Sequence, residues 1–262
     1  MTDTGAPPPA PSPRSVVDDP AARSVEVVLP CLDEALALPG LLADVPAGWR
    51  VLVVDNNSTD DTAAVARGGG ARVIAEGRAG YGAAVHAGIA SATADIVAVI
   101  DGDGSLDPAE LVEPVRMIVD GRADLVCGRR RPVARRVWPW HARLGTLFLA
   151  GLIRVGSGVP VHDIAPVRVA RREALLALDL RDRRCGYPLE TILAAARAGW
   201  RIVEVDVSYR ARAVGSRSKI SGTVRGTVTV ARDFAAVLVA ARRPRRRGPA
   251  TSGPPAQQTE RP

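Results

Sequence analysis

Short apolar runs rich in β-branched residues alternate with segments of helical character along most of this 262-residue chain. Apolar runs of about four to eight residues are typical of buried strands, and strands alternating with helices form a parallel sheet covered on both faces. We therefore predict an α/β fold with a mostly parallel central sheet flanked by helices. The predicted strands span residues 25–29, 51–55, 72–75, 96–100, 124–127 and 202–209. The predicted helices span residues 34–44, 59–67, 82–91, 108–120, 171–178, 188–198 and 223–241.

Composition places this folded part between two tails. Residues 1–22 are rich in Pro, Ala, Ser and Asp without periodicity, which predicts a disordered tail. We expect one domain over residues 23–222, then an amphipathic closing helix over residues 223–242. Residues 243–262 form a predicted basic disordered tail, which either contacts anionic phosphates or lipid or is simply a solvated terminus.

The chain is strongly basic, with a net charge of +7 and a pI of about 10.3. Such a charge favours acidic partners: nucleic acid, anionic lipid or phosphorylated substrates. Arginine supplies almost all of the positive charge, and Lys219 is the only lysine in the sequence. Cys31, Cys127 and Cys185 are too widely spaced for a disulfide framework or a metal cluster, and we expect the first two to be small core residues.

The apolar stretches 144–153 and 234–241 are too short to span a bilayer, so we expect a soluble or peripheral protein in a reducing compartment. A basic run at 129–136 and the sequence Trp138-Pro-Trp140 precede the first of these stretches. Tryptophans beside a basic cluster and an apolar helix are typical of an interfacial membrane segment. A helix packed on the edge of the sheet is the alternative interpretation.

Two carboxylates one residue apart, Asp101 and Asp103, directly follow the apolar run 96–100. Open α/β sheets bind ligands at the carboxyl ends of their strands, and Gly102 and Gly104 allow close approach of the backbone. Mg²⁺ is usually held by one or two carboxylates plus substrate phosphates. The pattern therefore indicates a divalent-cation site, and a simple polar turn is the alternative.

Polar residues also follow the first two predicted strands. Asp33 and Glu34 come after the first strand and Asp55 ends the second, positions from which a side chain can bind a base or a ribose. Ser58 and Thr59 can equally be helix N-caps. The glycine-rich segment 77–84 opens a predicted helix, yet it lacks the spacing of a dinucleotide-binding or Walker A motif.

In this order, the motifs resemble those of family 2 glycosyltransferases with the GT-A fold. The segments that carry the resemblance are Pro30-Cys-Leu-Asp-Glu34, Val54-Asp-Asn-Asn-Ser-Thr-Asp60, Gly80-Tyr-Gly-Ala83 and Asp101-Gly-Asp103. Later segments are similar to the polyprenyl-phosphate (dolichyl-phosphate mannose synthase-like) branch, and they lie at 161–168, 186–190, 204–207 and 212–222. The resemblance covers about residues 25–225. Asn56, Ala165 and Val167 depart from the usual Asp, Gly and Phe.

The resemblance implies a metal-dependent, inverting transfer of a sugar from a UDP- or GDP-linked donor to polyprenyl phosphate. It implies that Asp101 and Asp103 hold Mg²⁺ or Mn²⁺ against the donor diphosphate. The other implied donor-binding residues are Pro30, Asp33, Glu34, Asp55, Gly80 and Gly82. The residues implied to bind the acceptor or the phosphates are Arg130, Arg212, Ser218 and Lys219. The implied catalytic residues are Asp103, Asp163, Glu190, Arg212 and Lys219.

The acceptor decides whether a general base is needed. A lipid phosphate is already ionised, whereas a hydroxyl acceptor must lose its proton to a carboxylate, for which Asp163 or Glu190 is the candidate. Both residues can instead be structural carboxylates paired with an arginine. Transfer to a soluble hydroxyl acceptor is therefore an alternative function.

An alternative of another class is a non-catalytic basic protein that binds nucleotides or nucleic acid, but this does not explain the paired aspartates. We expect no nucleic acid partner. We expect a cytoplasmic protein bound peripherally to the inner face of the cell membrane, with the membrane surface as a partner.

Overall fold

The computed structural model of the chain describes residues 24–134, 150–151, 154, 158–212, 232–234 and 236–239. Both predicted tails lie outside the described residues, as do Ser218, Lys219 and most of the predicted segments at 137–155 and 223–242. Residues 232–234 and 236–239 are helical, in agreement with part of the predicted closing helix. Within the described part of the chain, no helix is both long enough and apolar enough to cross a membrane.

A seven-stranded sheet forms the centre of the described structure, in the order β3-β2-β1-β4-β6-β5-β7. All of its neighbouring pairs are parallel except the two that involve β6, which runs antiparallel to β4 and to β5. The predicted mostly parallel sheet is therefore confirmed. The strands are β1 (Val25–Cys31), β2 (Arg50–Asp55), β3 (Arg72–Ala75), β4 (Ile96–Val99), β5 (Leu125–Pro132), β6 (Val167–Arg171) and β7 (Ile202–Tyr209).

Helices cover both faces of this sheet and enclose a separate apolar core on each face. Alternate residues of β1 enter opposite cores: Val27 and Cys31 pack on one side, whereas Val28 packs with Cys127 on the other. Cys31 and Cys127 are thus core residues, as predicted. The helices are α1 (Leu38–Ala43), α2 (Thr62–Gly68), α3 (Tyr81–Ser91), α4 (Val112–Val119), α5 (Arg172–Ala177) and α6 (Tyr187–Arg197), with a 3₁₀ turn (Pro108–Leu111) before α4.

The predicted boundaries were wrong at three helix starts, and one strand was missed. Helix α1 begins at Leu38 and not at residue 34, because Asp33 adopts a φ of 50° and the following residues form a turn. Helix α2 begins at Thr62 and not at residue 59, and α4 is preceded by the 3₁₀ turn. Strand β6 was missed because Arg168 interrupts an otherwise apolar run, and a buried charge argues against a central strand.

The direction of the strands determines where the polar residues lie. Because β1, β2 and β4 are parallel, Cys31, Asp55 and Asp101 all lie at or just beyond the carboxyl edge of the sheet. Strand β5 runs the same way, since β6 is antiparallel both to it and to β4, so Arg130 reaches that edge too. One edge of the sheet therefore collects acidic residues from the first half of the chain and basic residues from the second.

Helix α3 packs closely on this sheet at Gly88. A Cβ at that position would lie 3.0 Å from Val54 Cγ2 and closer still to Val28 Cγ1. We expect Gly88→Ala to lower the free energy of unfolding by about 1–3 kcal/mol, because an extra methyl overpacks the core. Gly40→Ala is the control: Gly40 lies in α1 with no atom within 4 Å of its Cβ position. That change should raise stability by about 0.5–1 kcal/mol through helix propensity. Urea denaturation measures both, and equal shifts would contradict the packing argument.

Candidate active site

A pair of acidic residues lies at the centre of the carboxyl edge. Asp101 Oδ1 accepts a hydrogen bond from the Tyr81 hydroxyl at 3.1 Å. Asp103 Oδ1 accepts from the Ser105 amide at 3.0 Å, and Asp103 Oδ2 contacts the Arg212 guanidinium. Gly102 between them packs on the end of β1, since a Cβ there would lie 2.5 Å from Cys31 Sγ. The Asp-Gly-Asp turn is thus fixed against the sheet and tied to distant parts of the chain.

Burial and the neighbouring charge of Asp103 both disfavour the ionised form of Asp101. Burial, and next the charge of Asp103, raises the pKa of Asp101 from its usual range to about 6, although Arg168 and Arg130 act in the opposite direction. A cation beside the two carboxylates would relieve the repulsion. Both side chains offer the hard oxygen donors that Mg²⁺ and Mn²⁺ prefer, so they fit such an ion.

The rest of the coordination shell must come from elsewhere. Among the residues that the structure describes, no group of three or more His, Cys, Asp or Glu side chains could hold a metal ion. A site of two carboxylates takes its remaining ligands from water and from substrate phosphates, as is usual for Mg²⁺.

Arg130 and Asp163 form a buried ion pair beside the acidic turn. Arg130 Nε and Nη2 donate to the two carboxylate oxygens of Asp163 at 2.9 and 2.7 Å, and the Arg130 amide donates at 3.0 Å. Asp163 is only 1% exposed. The Arg130 guanidinium also lies over the Tyr209 ring, 5.5 Å from its centroid. Of the two alternatives left open for Asp163, the structure shows the pairing with an arginine.

Glu204 of β7 holds the loop that carries Asp163. Its Oε1 accepts from the amides of His162 and Asp163 at 2.6 and 3.1 Å. Its Oε2 lies 2.7 Å from His162 Nδ1. Neither contact was predicted from the sequence, because 42 residues separate Glu204 from His162.

The loops after β1 and β2 are joined by the acidic residues predicted to bind the donor. Asp33 Oδ1 accepts from the amide and the hydroxyl of Thr59 at 2.6 and 3.1 Å. Asp55 Oδ1 accepts from the Ser58 amide at 3.0 Å. The amide of Glu34 donates to Thr62 Oγ1 at 2.8 Å. The structure therefore brings Asp33, Glu34 and Asp55 together at the edge of the sheet, where their carboxylates or amides also order the two loops.

Asn56 links the same edge to the glycine-rich segment, a role the sequence did not reveal. Its Nδ2 donates to the carbonyls of Glu76 and Arg78, both at 2.8 Å, while its Oδ1 accepts from the Gly80 amide at 2.9 Å. An aspartate could not donate those two bonds when ionised. The departure from the usual aspartate thus has a structural reason.

The backbone at residues 183–184 packs so closely against Gly80 and Gly82 that neither position has room for a side chain. Gly80 has a φ of 139°, and a Cβ on Gly82 would lie 2.8 Å from Arg184 O and from Tyr187 Cβ. Glu190 holds the preceding residues, because its carboxylate accepts from the amides of Arg181 and Asp182 at 3.0 and 2.7 Å. Glu190 therefore supports the segment beside the glycine turn, and its described partners are backbone amides, not an arginine side chain.

Among the residues that the structure describes, three arginines lie around the acidic turn, and they come from widely separated parts of the chain. Arg212 reaches Asp103 because Arg210 anchors the end of β7, donating from its amide to Ser105 O at 2.8 Å and from Nη2 to Asp107 at 2.7 Å. Arg130 comes from β5 and Arg168 from β6. Sequence reasoning missed Arg168 and Tyr81 as site residues, although an arginine inside an apolar run was a usable signal.

Paired carboxylates with oxygen donors suited to a divalent cation, together with converging arginines at the carboxyl edge of an α/β sheet, are typical of enzymes that act on diphosphate-linked substrates. Comparison with known proteins identifies the family within this class of enzymes. The profile of glycosyl transferase family 2 matches residues 26–178, more than half of the chain. The chain belongs to glycosyl transferase family 2. The predicted glycosyltransferase is thereby confirmed, and the alternative of a non-catalytic binding protein is set aside.

Individual relatives agree with this assignment. An uncharacterised glycosyltransferase of Mycobacterium tuberculosis is 58% identical over 218 residues, which cover 83% of this chain and 99% of the relative. A dolichyl-phosphate hexose transferase of Haloferax volcanii is 32% identical over 191 residues, 71% of this chain and 83% of the relative. A solved structure, glucosyl-3-phosphoglycerate synthase from Mycobacterium tuberculosis with Mn²⁺, UDP and glucosyl-3-phosphoglycerate, has a TM-score of 0.67 and 25% identity. That match covers 91% of this chain and 87% of the solved one.

The raised pKa of Asp101 predicts a stabilised variant. Because the native state binds this proton more tightly than the unfolded chain, metal-free protein loses stability as the pH rises from about 4 to about 6. In a chelating buffer at pH 7.5, we expect Asp101→Asn to be about 1–3 kcal/mol more stable than the wild type. The difference should shrink at pH 4.5, where Asp101 is mostly protonated. Chemical denaturation at the two pH values measures this, and a difference that grows towards acid pH would contradict it.

The Arg130–Asp163 pair predicts a second stability effect. We expect Asp163→Asn to lower the free energy of unfolding by about 3–5 kcal/mol, because Arg130 keeps a largely buried charge without its counterion. The control is Asp124→Asn, which breaks a pair with Arg201 whose side chains are 57% and 39% exposed. This exposed pair should cost less than about 1 kcal/mol. Lost transfer activity with unchanged stability in Asp163→Asn would instead identify a general base.

Proposed function

We propose that the protein transfers a sugar, with inversion, from a nucleotide-sugar donor to a polyprenyl phosphate. The observation that carries this proposal is that both candidate bases are engaged within the protein. Asp163 is bound to Arg130, and the carboxylate of Glu190 accepts two backbone amides. A phosphate acceptor needs no base, because its oxygen is already ionised. The dolichyl-phosphate hexose transferase among the relatives supports the same acceptor class.

The donor half of the proposed site lies at the ends of β1, β2 and β4. Pro30, Asp33, Glu34 and Asp55 bind the base and ribose in this proposal, beside the glycine turn at Gly80 and Gly82. Asp101 and Asp103 would hold Mg²⁺ or Mn²⁺ next to the diphosphate, and the solved neighbour contains Mn²⁺ and UDP together. The cation supplies positive charge that stabilises the leaving diphosphate.

The basic residues complete the proposed charge balance. Arg212 already contacts Asp103, so it lies where it can turn to the negative charge of the diphosphate. Ser218 and Lys219 follow it in the sequence and are proposed to bind the phosphates as well. Arg130, oriented by Asp163 and Tyr209, is proposed to bind the acceptor phosphate.

The proposed reaction balances without a proton transfer. An acceptor phosphate oxygen forms a bond to the anomeric carbon of the sugar while the bond from that carbon to the diphosphate breaks. The nucleoside diphosphate leaves with the electron pair, and attack from the opposite face inverts the anomeric centre. Preorganised cations stabilise this developing charge better than water does.

A soluble hydroxyl acceptor is the second candidate, because the acceptor of the solved neighbour is phosphoglycerate. In that case a base must take the hydroxyl proton, and Asp163 would have to leave Arg130. A peripheral position on the inner face of the membrane belongs to the first candidate alone, since only a lipid acceptor requires it.

A panel of donors and acceptors tests the proposal. The full chain is incubated with Mn²⁺, with UDP-glucose, UDP-GlcNAc or GDP-mannose, and with either a short polyprenyl phosphate or 3-phosphoglycerate. We expect lipid-linked sugar from one donor, a loss of at least about 100-fold in Asp103→Asn and full activity in the surface control Asp124→Asn. Transfer to 3-phosphoglycerate alone would establish the second candidate. Absence of any transfer with every donor and acceptor would overturn the proposal.

A further inference from the structure

Arg168 is a buried arginine near the start of β6, an interior strand of the sheet. It lies in β6 opposite Val99 of β4 and Cys127 of β5, and it is 1% exposed. None of the ion pairs among the described residues includes it, and its Nη1 donates to the carbonyl of Ala165 at 2.6 Å. Burying a charge costs free energy of folding unless the charge is paired or fully hydrogen-bonded. An apolar residue at this position would therefore be less destabilising.

The second contact of Arg168 leads to the acidic turn. Its Nη2 lies 2.9 Å from the Tyr81 hydroxyl, and its guanidinium carbon lies 5.6 Å from the centroid of the Tyr81 ring. A guanidinium can only donate hydrogen bonds, so the tyrosine oxygen must accept. The tyrosine proton is therefore left for Asp101 Oδ1, 3.1 Å away. The hydrogen bonds therefore run in one direction: Arg168 donates to Tyr81, and Tyr81 donates to Asp101.

This direction distinguishes the two oxygens of Asp101. Oδ1 receives the Tyr81 hydroxyl, whereas Oδ2 accepts no hydrogen bond from the residues that the structure describes. Groups behind a metal-binding carboxylate fix its rotation and thereby reduce the entropy lost when the ion binds. The first residue of α3 and the second residue of β6 together support a carboxylate that follows β4.

We propose that Arg168 is a positioning residue for Asp101: through the Tyr81 hydroxyl, it holds the carboxylate in one orientation, with Oδ2 left for the donor-bound cation. This inference rests on the proposed function, in which Asp101 and Asp103 bind that cation. Arg168 and Tyr81 touch neither sugar nor acceptor in this role. Their loss should weaken cation binding more than it weakens binding of the nucleotide alone.

Removal of the Tyr81 hydroxyl is the direct test. In the full chain with saturating UDP, free Mn²⁺ is followed by electron paramagnetic resonance, which requires no turnover. We expect the Mn²⁺ concentration for half-saturation to rise about 10- to 100-fold in Tyr81→Phe, as for other groups that orient metal ligands. The matched control is Tyr187→Phe, a buried tyrosine whose hydroxyl lies 3.4 Å from His86 Nδ1. It should change this concentration less than about twofold, while UDP binding without metal stays unchanged in both variants.

A double-variant cycle tests whether Arg168 acts through the tyrosine. Arg168→Lys keeps a buried cation and should weaken Mn²⁺ binding, but adding it to Tyr81→Phe should cause little further loss. Melting temperatures verify that each variant is folded. Additive losses would show that Arg168 acts independently of Tyr81, which would overturn the inference, as would unchanged Mn²⁺ binding in Tyr81→Phe.

Asp101→Asn separates failure of the inference from failure of the proposed function. If Asp101→Asn leaves Mn²⁺ binding unchanged, the proposed cation site is wrong and the positioning role falls with it. If Asp101→Asn weakens Mn²⁺ binding while Tyr81→Phe does not, the cation site stands and only the role of Arg168 is overturned.

Discussion

The repulsion between Asp101 and Asp103 is the constraint on which the arrangement of the site depends. Burial and the charge of Asp103 together raise the pKa of Asp101, and positive charge nearby acts in the opposite direction. Arg130, Arg168 and Arg212 supply that charge, and the sequence places each of them after the acidic turn. Strand β6 lies beside β4, β5 lies beside β6 and β7 lies beside β5, and each arginine reaches the same edge of the sheet. Arginines from the second half of the sheet thus offset the negative charge that the first half places at this edge.

Local chemistry explains what could be predicted from the sequence. Apolar runs ending in Asp55 or Asp101 are local signals, and parallel strands must place such ends on one edge. The reversal of β6 is not a local property, because it follows from pairing with β4 and β5 at long range. Arg168 concealed this strand, since its buried charge is compensated by Tyr81, 87 residues away. The acidic residues at the edge could therefore be predicted from the sequence, whereas strand β6 and the contact between Arg168 and Tyr81 could not.

Single residues also have structural duties that a resemblance does not reveal. Asn56 needs both a donor and an acceptor to join three backbone groups, and Gly82 must admit the backbone at Arg184. Ala165 adopts a φ of 55°, which costs an alanine about 1 kcal/mol and explains why glycine is usual there. Its carbonyl accepts from Arg168, so the hydrogen bond that anchors the arginine also holds this strained turn.

The same contacts bear on the choice of acceptor. A lipid phosphate and the hydroxyl of a small metabolite pose opposite demands: the first needs a fixed cation, whereas the second needs a carboxylate able to accept a proton. Asp163 cannot meet both demands at once, because both of its carboxylate oxygens already accept hydrogen bonds from the Arg130 guanidinium. Its bidentate contact with Arg130 therefore favours the phosphate. Both residues lie at or beyond β5, whereas the proposed donor contacts lie mainly before it. In the proposed function, the donor is therefore bound mainly by the first half of the sheet and the acceptor after β4, where relatives with one fold can differ in substrate.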